Sequence, residues 1–152
     1  MKIRLIVIGK PKYSFIQEGI EEYMARVNRY VDFEYIQIND IKGVSEPRVL
    51  IERETERIEK VLKCNDVVIL DQNGKEFTSE GFAKFLRSYI DRGIRCLEFV
   101  VGGAYGLTEE FKGQYVKVSL SKMTFPHDLV RVIFLEQVYR AFTIMNKQSY
   151  HH

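Results

Sequence analysis

The hydrophobic residues of the chain follow two patterns, one typical of strands and one typical of helices. Three continuous apolar runs are typical of strands buried on both faces of a parallel sheet, with Arg4 as a charged exception in the first: Ile3–Ile8, Val67–Asp71 and Cys96–Val101. Phe33–Ile38 alternates only partly, as a strand near a sheet edge does, and Tyr115–Leu120 is rich in β-branched and aromatic residues. The pattern therefore predicts five strands.

Apolar residues at helical spacing fall between these strands. They predict five helices with these limits or caps: Phe15–Tyr30, Pro47–Cys64, a helix capped by Thr78 or Ser79, a short helix capped by Thr108, and His127–Met145. Asn73–Gly74 is expected to turn the chain after the third strand. Because strands alternate with helices and no repeat or linker interrupts them, the pattern predicts a single α/β domain, residues 1–152. It has a mainly parallel sheet with helices on both faces.

The last helix is apolar around most of its circumference. Its polar positions form one narrow arc: Glu136, Arg140, Thr143 and Lys147. A helix of this kind is buried on more than one side, which indicates the sheet on one face and a second subunit on the other. Pro126 suits the first turn, Thr124 is the expected N-cap, and Asp128 places negative charge near the positive end of the helix.

Arg131 falls in the middle of the apolar arc of this helix. Charged side chains are almost never fully buried without a partner. Two partners are possible: an acidic group across a subunit interface, or a phosphate of the substrate. The sequence leaves both open.

Composition narrows the class of protein. The chain has 152 residues, 45% of them hydrophobic, and a net charge of +2 from 23 basic and 21 acidic side chains, so it neither indicates nor excludes a nucleic-acid partner. No apolar run approaches the ~18 residues of a membrane span, and the N-terminal run reads as a strand because it lacks a cleavage site. Cys64 and Cys96 match no metal or redox spacing, so we expect two reduced thiols in a cytoplasmic protein without a metal.

Three candidate segments follow strand ends, where ligands bind in open α/β sheets: Leu70–Asp71, the glycines 102, 103 and 106, and Leu120–Phe125. The glycines do not have the spacing or position of a dinucleotide fingerprint, which excludes a flavodoxin-like nucleotide-binding module. His127 could merely cap the helix start, while His151 and His152 could be a frayed tail. The residues alone therefore predict a ligand site at the carboxyl edge of the sheet.

Longer motifs make the interpretation sharper. The chain resembles the SPOUT-class large-subunit rRNA pseudouridine methyltransferases over essentially its whole length, through these motifs: Gly102-Gly-x-x-Gly-Leu107, Ser119-Leu-Ser-Lys-Met-Thr-Phe-Pro-His127, Arg131, Glu136-Gln-Val-Tyr-Arg-Ala-Phe142 and Tyr150-His151. The resemblance implies a fold that the periodicity could not predict, in which the C-terminal segment passes through a loop as a trefoil knot. It also implies a homodimer, in agreement with the apolar last helix.

The resemblance implies the chemistry as well. S-adenosylmethionine is the expected cofactor, and the matching cofactor-binding positions are Leu70, Gly102, Leu120, Ser121, Lys122, Met123, Thr124 and Phe125. The expected substrate is a pseudouridine of 23S rRNA in the ribosome, methylated at N3. The expected substrate-side residues are His127, Arg131, Tyr150 and His151, with Arg131 or Arg140 on a phosphate and Tyr150 against the flipped base.

Two departures from the family pattern concern RNA affinity. The chain ends on His152, where relatives carry a basic residue, and the segment between the second strand and the second helix is short. A second function remains open beside the enzyme: a non-catalytic, ribosome- or RNA-binding dimer that keeps the fold. The intact Leu120–Phe125 loop favours the enzyme, because a binding module needs no cofactor pocket.

Overall fold

The computed structural model describes residues 1–151, the last of them by its backbone alone. Its strands are β1 (Lys2–Ile8), β2 (Asp32–Ile38), β3 (Asp66–Glu76), β4 (Cys96–Val101) and β5 (Val116–Ser119). Its α-helices are α1 (Ser14–Val27), α2 (Pro47–Val61), α3 (Ser79–Asp91), α4 (Glu109–Gly113) and α5 (His127–Met145), followed by a 3₁₀ turn at Ser149–His151. Every strand and helix predicted from the pattern is present in this range.

The five strands form one sheet in the order β2-β1-β4-β3-β5, and every neighbouring pair is parallel. β1 and β4 lie inside the sheet, which is why their sequences are nearly continuous apolar runs. β2 is an edge strand, in agreement with its partial alternation. The α/β prediction with a parallel sheet is confirmed.

Each face of the sheet carries its own apolar core. Ile3, Leu5 and Val7 of β1 belong to the larger core, which also contains apolar side chains of α1, α3 and α5. Ile6 and Ile8 belong to a smaller core with residues of α2 and α4, among them Ile58 and Phe111. Successive side chains of a strand point to opposite faces, so helices cover both faces, as predicted.

The expected turn at Asn73–Gly74 is wrong. β3 continues through these residues to Glu76, with a shift of its register against β5 between Leu70 and Lys75. The backbone amide of Asn73 donates to Asp71 Oδ1 over 2.8 Å. A Cβ at Gly74 would lie 2.6 Å from the backbone of Lys117 and Val118, so the glycine permits close approach of β5 instead of ending the strand.

The amino end of the sheet buries a complete ionic network. The Glu98 carboxylate, fully buried, accepts from the Arg4 guanidinium and from the backbone amides of Lys63 and Cys64, the last two at 3.1 Å. Arg4 Nε also donates to Glu34 Oε2 over 3.1 Å. The charged exception in β1 is thus explained by a carboxylate on the neighbouring strand.

The prediction of two reduced thiols is wrong in the structure. Cys64 and Cys96 form a disulfide with a Cα–Cα distance of 5.6 Å. The spacing along the chain hid this pairing because Cys64 precedes β3 and Cys96 begins β4, two neighbouring parallel strands whose starts lie side by side.

α5 begins at His127 and ends at Met145, as predicted, but Thr124 does not cap it. Pro126 occupies the N-cap position, and no side chain caps the helix. The Thr124 hydroxyl instead donates to Gln72 Oε1 over 3.2 Å, which ties the loop before α5 to the end of β3. The predicted caps of the other helices are confirmed: Thr78 accepts from the Gly81 amide and Thr108 from the Phe111 amide.

Candidate functional site

A cavity of about 490 Å³ opens at the carboxyl end of the sheet, within the size range of small-molecule sites. Three segments surround it: the continuation of β3 from Leu70 to Asn73, the loop of residues 101–106 after β4, and residues 118–127 between β5 and α5. We call residues 102–106 the glycine loop and residues 120–125 the β5–α5 loop. The sequence predicted these three strand ends as the site, and the structure brings them together.

The predicted cofactor-binding residues fall into two groups. Seven line the cavity: Leu70, Gly102, Leu120, Ser121, Met123, Thr124 and Phe125. The side chain of Lys122 is 85% exposed, with its Nζ 3.8 Å from Glu76 Oε2, and it is not part of the cavity wall. Lys122 therefore faces solvent on the outside of the loop.

The glycine loop is closely packed where it borders the cavity. A Cβ at Gly102 would lie 2.9 Å from the carbonyl carbon of Gly106 and from Leu107 Cγ. Gly106 has a φ of 84°, a left-handed conformation that glycine adopts without strain, and its amide donates to the Gly103 carbonyl over 3.0 Å. Two of the glycines are thus required by the turn itself, which borders the cavity.

An ion pair in the cavity wall was not predicted. Lys112 Nζ on α4 lies 3.0 Å from Asp71 Oδ2, where the register of β3 shifts, and both residues line the cavity. Burial alone would raise the pKa of Asp71, but the Asn73 amide and the Lys112 ammonium outweigh it and lower that pKa. Lys112 lies on a short helix with no motif around it, so the sequence carried no signal that could have identified it.

His127 lies in the cavity wall at the first residue of α5. Burial is the main cause that lowers its pKa, and the neighbouring Arg131 and Lys12 charges lower it further, against the opposing effect of Asp128. Its Nε2 lies 3.1 Å from Asp128 Oδ1. A histidine with a lowered pKa is neutral at pH 7 and can accept a proton.

Arg131 is fully buried, and its partners are in its own chain. Its guanidinium donates to the carbonyls of Ile8 and Gly9, over 2.5 and 2.8 Å, and to the Tyr35 hydroxyl over 3.2 Å, with Asp128 Oδ1 at 3.3 Å. Neither expected partner, an acid across an interface or a phosphate, is what the structure shows. Arg131 instead fixes the end of β1 against the first turn of α5, next to His127.

Tyr150 lies away from the cavity, in a second polar cluster on α5. Its hydroxyl donates to Glu136 Oε1 over 3.2 Å, its ring packs on Tyr139, and the Arg140 guanidinium lies 4.9 Å from its centroid. Glu136 also accepts from Arg140 Nη2 over 2.7 Å. Because α5 rises ~1.5 Å per residue, Arg140 is roughly 20 Å along the axis from His127. The side chain of His151 and all of His152 lie outside the described residues.

Glu54 lies beneath the glycine loop. Its carboxylate is buried, and a Cβ at Gly103 would lie 2.2 Å from Glu54 Oε2, so a larger residue there would displace this carboxylate. Burial raises the pKa of Glu54, and the Asp40 carboxylate adds to the effect.

Two kinds of feature are absent from the described residues. Residues 1–151 contain no cluster of three or more His, Cys, Asp or Glu side chains arranged to hold a metal ion. None of the helices in that range has the length and apolar character needed to cross a membrane.

The family comparison covers nearly the whole chain. A family model described as "Predicted SPOUT methyltransferase" matches residues 1–151. The chain is 48% identical to the ribosomal RNA large subunit methyltransferase H of Parabacteroides distasonis and 43% identical to that of Citrifermentans bemidjiense. Both alignments span 100% of this chain and 99% of the relative.

Solved structures agree on the fold. A probable methylase family protein from Haemophilus influenzae Rd KW20 superposes with a TM-score of 0.56 at 15% identity, covering 97% of this chain and 69% of the other. TrmJ from Z. mobilis ZM4 superposes with a TM-score of 0.50 at 10% identity, covering 92% and 70%. At such low identity the likeness concerns the fold alone.

Proposed function

The chain belongs to the SPOUT methyltransferase family, and from this premise we propose that it methylates large-subunit ribosomal RNA with S-adenosylmethionine, at N3 of a pseudouridine in 23S rRNA. The observation that carries the proposal is the cavity at the carboxyl end of the sheet, because seven of the eight residues that the family resemblance selects for the cofactor line it. Relatives named ribosomal RNA large subunit methyltransferase H, at up to 48% identity over their full length, support the substrate class.

The cavity fits the proposed cofactor in size and in chemistry. Its ~490 Å³ is typical of small-molecule sites. The glycine loop and the β5–α5 loop offer backbone amides and carbonyls to an adenine edge, while Leu70, Leu120 and Phe125 offer apolar contact to its ring. S-adenosylmethionine, when bound, supplies the methyl group. Lys122 contributes by its backbone alone in this proposal.

His127 is the proposed acceptor of the N3 proton. It lines the cavity, and its lowered pKa keeps the imidazole neutral and able to take a proton at pH 7. Arg131 acts as a positioning residue, since it ties the end of β1 to the helix turn that carries His127. Most of the rate would come from holding N3 in line with the methyl group.

Tyr150 and Arg140 are too far from His127 to share a site within one protomer, and this is the argument for a homodimer. We assign them to the substrate side of the partner's cavity, so that each site takes His127 from one subunit and the Glu136–Arg140–Tyr150 cluster from the other. His151 joins Tyr150 in this role. The trefoil knot belongs to the same proposal, because threading the C-terminal segment would hold the β5–α5 loop against the glycine loop. The proposal also includes a single domain, a cytoplasmic location and an activity that needs no metal.

The test is transfer of labelled methyl groups from S-adenosylmethionine to ribosomes that lack this modification, beside isolated large subunits and free rRNA. Label in a pseudouridine of 23S rRNA is the expected result. Calorimetry with S-adenosylmethionine separates the other outcomes. Cofactor binding without transfer would mean a different RNA target, and neither binding nor transfer would leave the non-catalytic RNA-binding dimer as the better interpretation.

The composite site has its own test. His127→Ala and Tyr150→Ala variants, each expected to lose methyl transfer, are unfolded together, refolded and assayed. If His127 and Tyr150 come from different subunits, half of the dimers are mixed and each mixed dimer has one intact site, which restores about a quarter of the wild-type rate. If both residues act within one chain, no site is intact and the mixture remains inactive.

A further inference from the structure

The loop between β1 and α1, together with the first turn of α1, has an unusual surface. Tyr13 and Phe15 are 61% and 62% exposed, and their rings stack on each other with centroids 5.6 Å apart and planes at 19°. Lys10 and Lys12 on the same loop are also exposed. Large aromatic side chains that remain this exposed in a chain with two well-formed cores indicate a surface for a ligand or partner.

This loop is held firmly in place. The Gly9 amide donates to the Ile38 carbonyl over 2.8 Å, and the Gly9 carbonyl accepts from Arg131 over the same distance. The Lys12 amide donates to Asp128 Oδ2 over 3.0 Å. Asp128 is the second residue of α5, directly after His127, so the aromatic pair is fixed beside the proposed site of methyl transfer.

The charge around the pair is positive. Lys10 and Lys42 border a second cavity together with Asn39 and Asp40. The Asp40 carboxylate is turned toward Gly9, where an added Cβ would lie 2.3 Å from Asp40 Oδ1. Asp40 is nevertheless exposed, as are Lys10, Lys12 and Lys42, so the positive charges outnumber it three to one. Exposed rings flanked by cationic side chains suit unstacked nucleotides, whose bases stack on rings and whose phosphates attract ammonium groups.

We propose that Tyr13 and Phe15, with Lys10, Lys12 and Lys42, form a docking surface for an unpaired RNA segment next to the modified nucleotide. The proposal rests on the proposed function, because it assigns part of the RNA substrate to a surface outside the cofactor cavity. The stacked rings take a base, and the lysines take the phosphates on either side of it. The surface determines affinity for the RNA and does not take part in the chemical step.

The decisive variant is Tyr13→Ala/Phe15→Ala, assayed on unmodified large subunits. We expect KM for the RNA substrate to rise about tenfold or more, as loss of a stacked base does, with kcat and the Kd of S-adenosylmethionine within about twofold of wild type. The Tyr13→Phe/Phe15→Tyr variant keeps both rings and should restore the wild-type KM. An unchanged KM in the double-alanine variant would overturn the proposal.

The lysines give an independent measurement. Lys10→Ala/Lys12→Ala should reduce the slope of log affinity against log salt by roughly 1.4 to 1.8 when binding to large subunits is measured, since each phosphate contact contributes 0.7 to 0.9. Lys84→Ala, an exposed lysine on α3, is the matched control and should leave the slope unchanged. Equal slopes for the double variant and the control would contradict the assignment.

Two further outcomes are distinguishable. If Tyr13→Ala/Phe15→Ala dissociates the dimer in sedimentation experiments, the rings cover a subunit interface and the RNA assignment is wrong. If the wild-type protein transfers no methyl group to any ribosomal particle, the proposed function fails, and the surface loses its substrate. If the wild type transfers the methyl group and the Tyr13→Ala/Phe15→Ala variant has an unchanged KM, the docking surface is rejected. The proposed function is unaffected by that result.

Discussion

The two ends of the central sheet both bury charged side chains, but they satisfy them differently. At the amino end, Glu98 accepts from Arg4 and from two backbone amides, and the nearby Cys64–Cys96 disulfide joins the starts of β3 and β4. At the carboxyl end, buried atoms lack hydrogen-bond partners. Within residues 1–151, the three buried side-chain atoms without one all lie there: Glu54 Oε2, Asp128 Oδ1 and Arg131 Nε.

We interpret this difference as one between a structural end and the end that carries the proposed site. A buried polar group without a partner costs stability, so proteins keep few of them, and they tend to keep them where a ligand or a reaction needs them. Asp128 Oδ1 lies between His127 and Arg131 without a well-aligned hydrogen bond to either. The incomplete satisfaction therefore falls behind the cavity, next to His127 and beneath the glycine loop, which both line it. The amino end has no comparable feature among the described residues.

The largest expected effect is a loss of stability when the ionic network at the amino end is broken. Glu98→Ala leaves the Arg4 charge buried, with only the partly exposed Glu34 as a charged partner. Removing one member of a buried ion pair costs about 3–5 kcal/mol, so the free energy of unfolding in urea should fall by that amount. Glu34→Ala, the control, removes a half-exposed partner of Arg4 and should cost less than about 1 kcal/mol.

Glu98→Gln keeps the shape if the alanine variant does not fold. Its cofactor affinity should equal that of the wild type, because the network lies at the end of the sheet opposite the cavity. A large change in the Kd of S-adenosylmethionine would show that the two ends are coupled and that the comparison is too simple.

The next effect concerns the chemistry at the carboxyl end. His127→Gln should lower the rate of methyl transfer by about 100-fold, the lower range for loss of a general base, while the Kd of S-adenosylmethionine changes little. In the wild type the rate should fall as the pH drops through a pKa below the ordinary value of ~6.5, because burial lowers the pKa of His127. The variant should lose this acid limb. A limb that persists in the glutamine variant would assign the proton to another group.

Much of this comparison was accessible from the sequence, and the rest depended on contacts between distant segments. The apolar runs predicted the strands because a strand buried on both faces has no alternative composition. The glycine cluster and the Leu120–Phe125 segment predicted the cavity because they follow strand ends.

The ion pairs could not be predicted in this way. Asp71 and Lys112 are 41 residues apart, and Arg4 and Glu98 are 94 residues apart, so only the sheet order brings them together. The same reason explains the disulfide and the intrachain partners of Arg131. Lys122 was wrongly expected in the cavity wall because the motif marks a position in the chain and not the direction of its side chain. Its neighbours line the cavity, while its own side chain faces solvent.

The Gly102→Ala variant tests whether the close packing of the glycine loop matters for cofactor binding. A methyl group at this position would lie 2.9 Å from Gly106 and Leu107, so Gly102→Ala must push the loop toward the cavity or distort it. We expect the Kd of S-adenosylmethionine to rise about tenfold, equivalent to ~1.4 kcal/mol, as calorimetry would show. Gly113→Ala is the matched control, because nothing lies within 4 Å of its added Cβ. Similar affinities for the two variants would mean that the loop yields without affecting the ligand.

The smallest effect concerns the Asp71–Lys112 pair, which is the best-satisfied charge pair in the cavity wall. Its side chains are 13% and 12% exposed, and Asp71→Asn should cost about 1 kcal/mol of unfolding free energy at pH 7. Because the folded-state pKa of Asp71 is lowered, its contribution is present above the ordinary aspartate pKa of ~3.9 and is lost as the pH falls through the folded-state value. The pKa of Lys112 is raised, since contacts with Glu109 and Asp71 outweigh burial, so its contribution extends from low pH to above its ordinary ~10.4.

The difference between wild type and Asp71→Asn should therefore be constant from about pH 5 to 9 and should disappear in acid. Asp91→Asn is the control, because its pair with Arg87 is more than half exposed and contributes a few tenths of a kcal/mol at most. A difference that persists in acid below the folded-state pKa of Asp71 would mean that Asp71 stabilises the fold through packing and not through its charge. The Asp71–Lys112 pair would then not be the counterpart of the Arg4–Glu98 pair at the amino end. The cavity wall would keep its shape by packing, without any contribution from this ion pair.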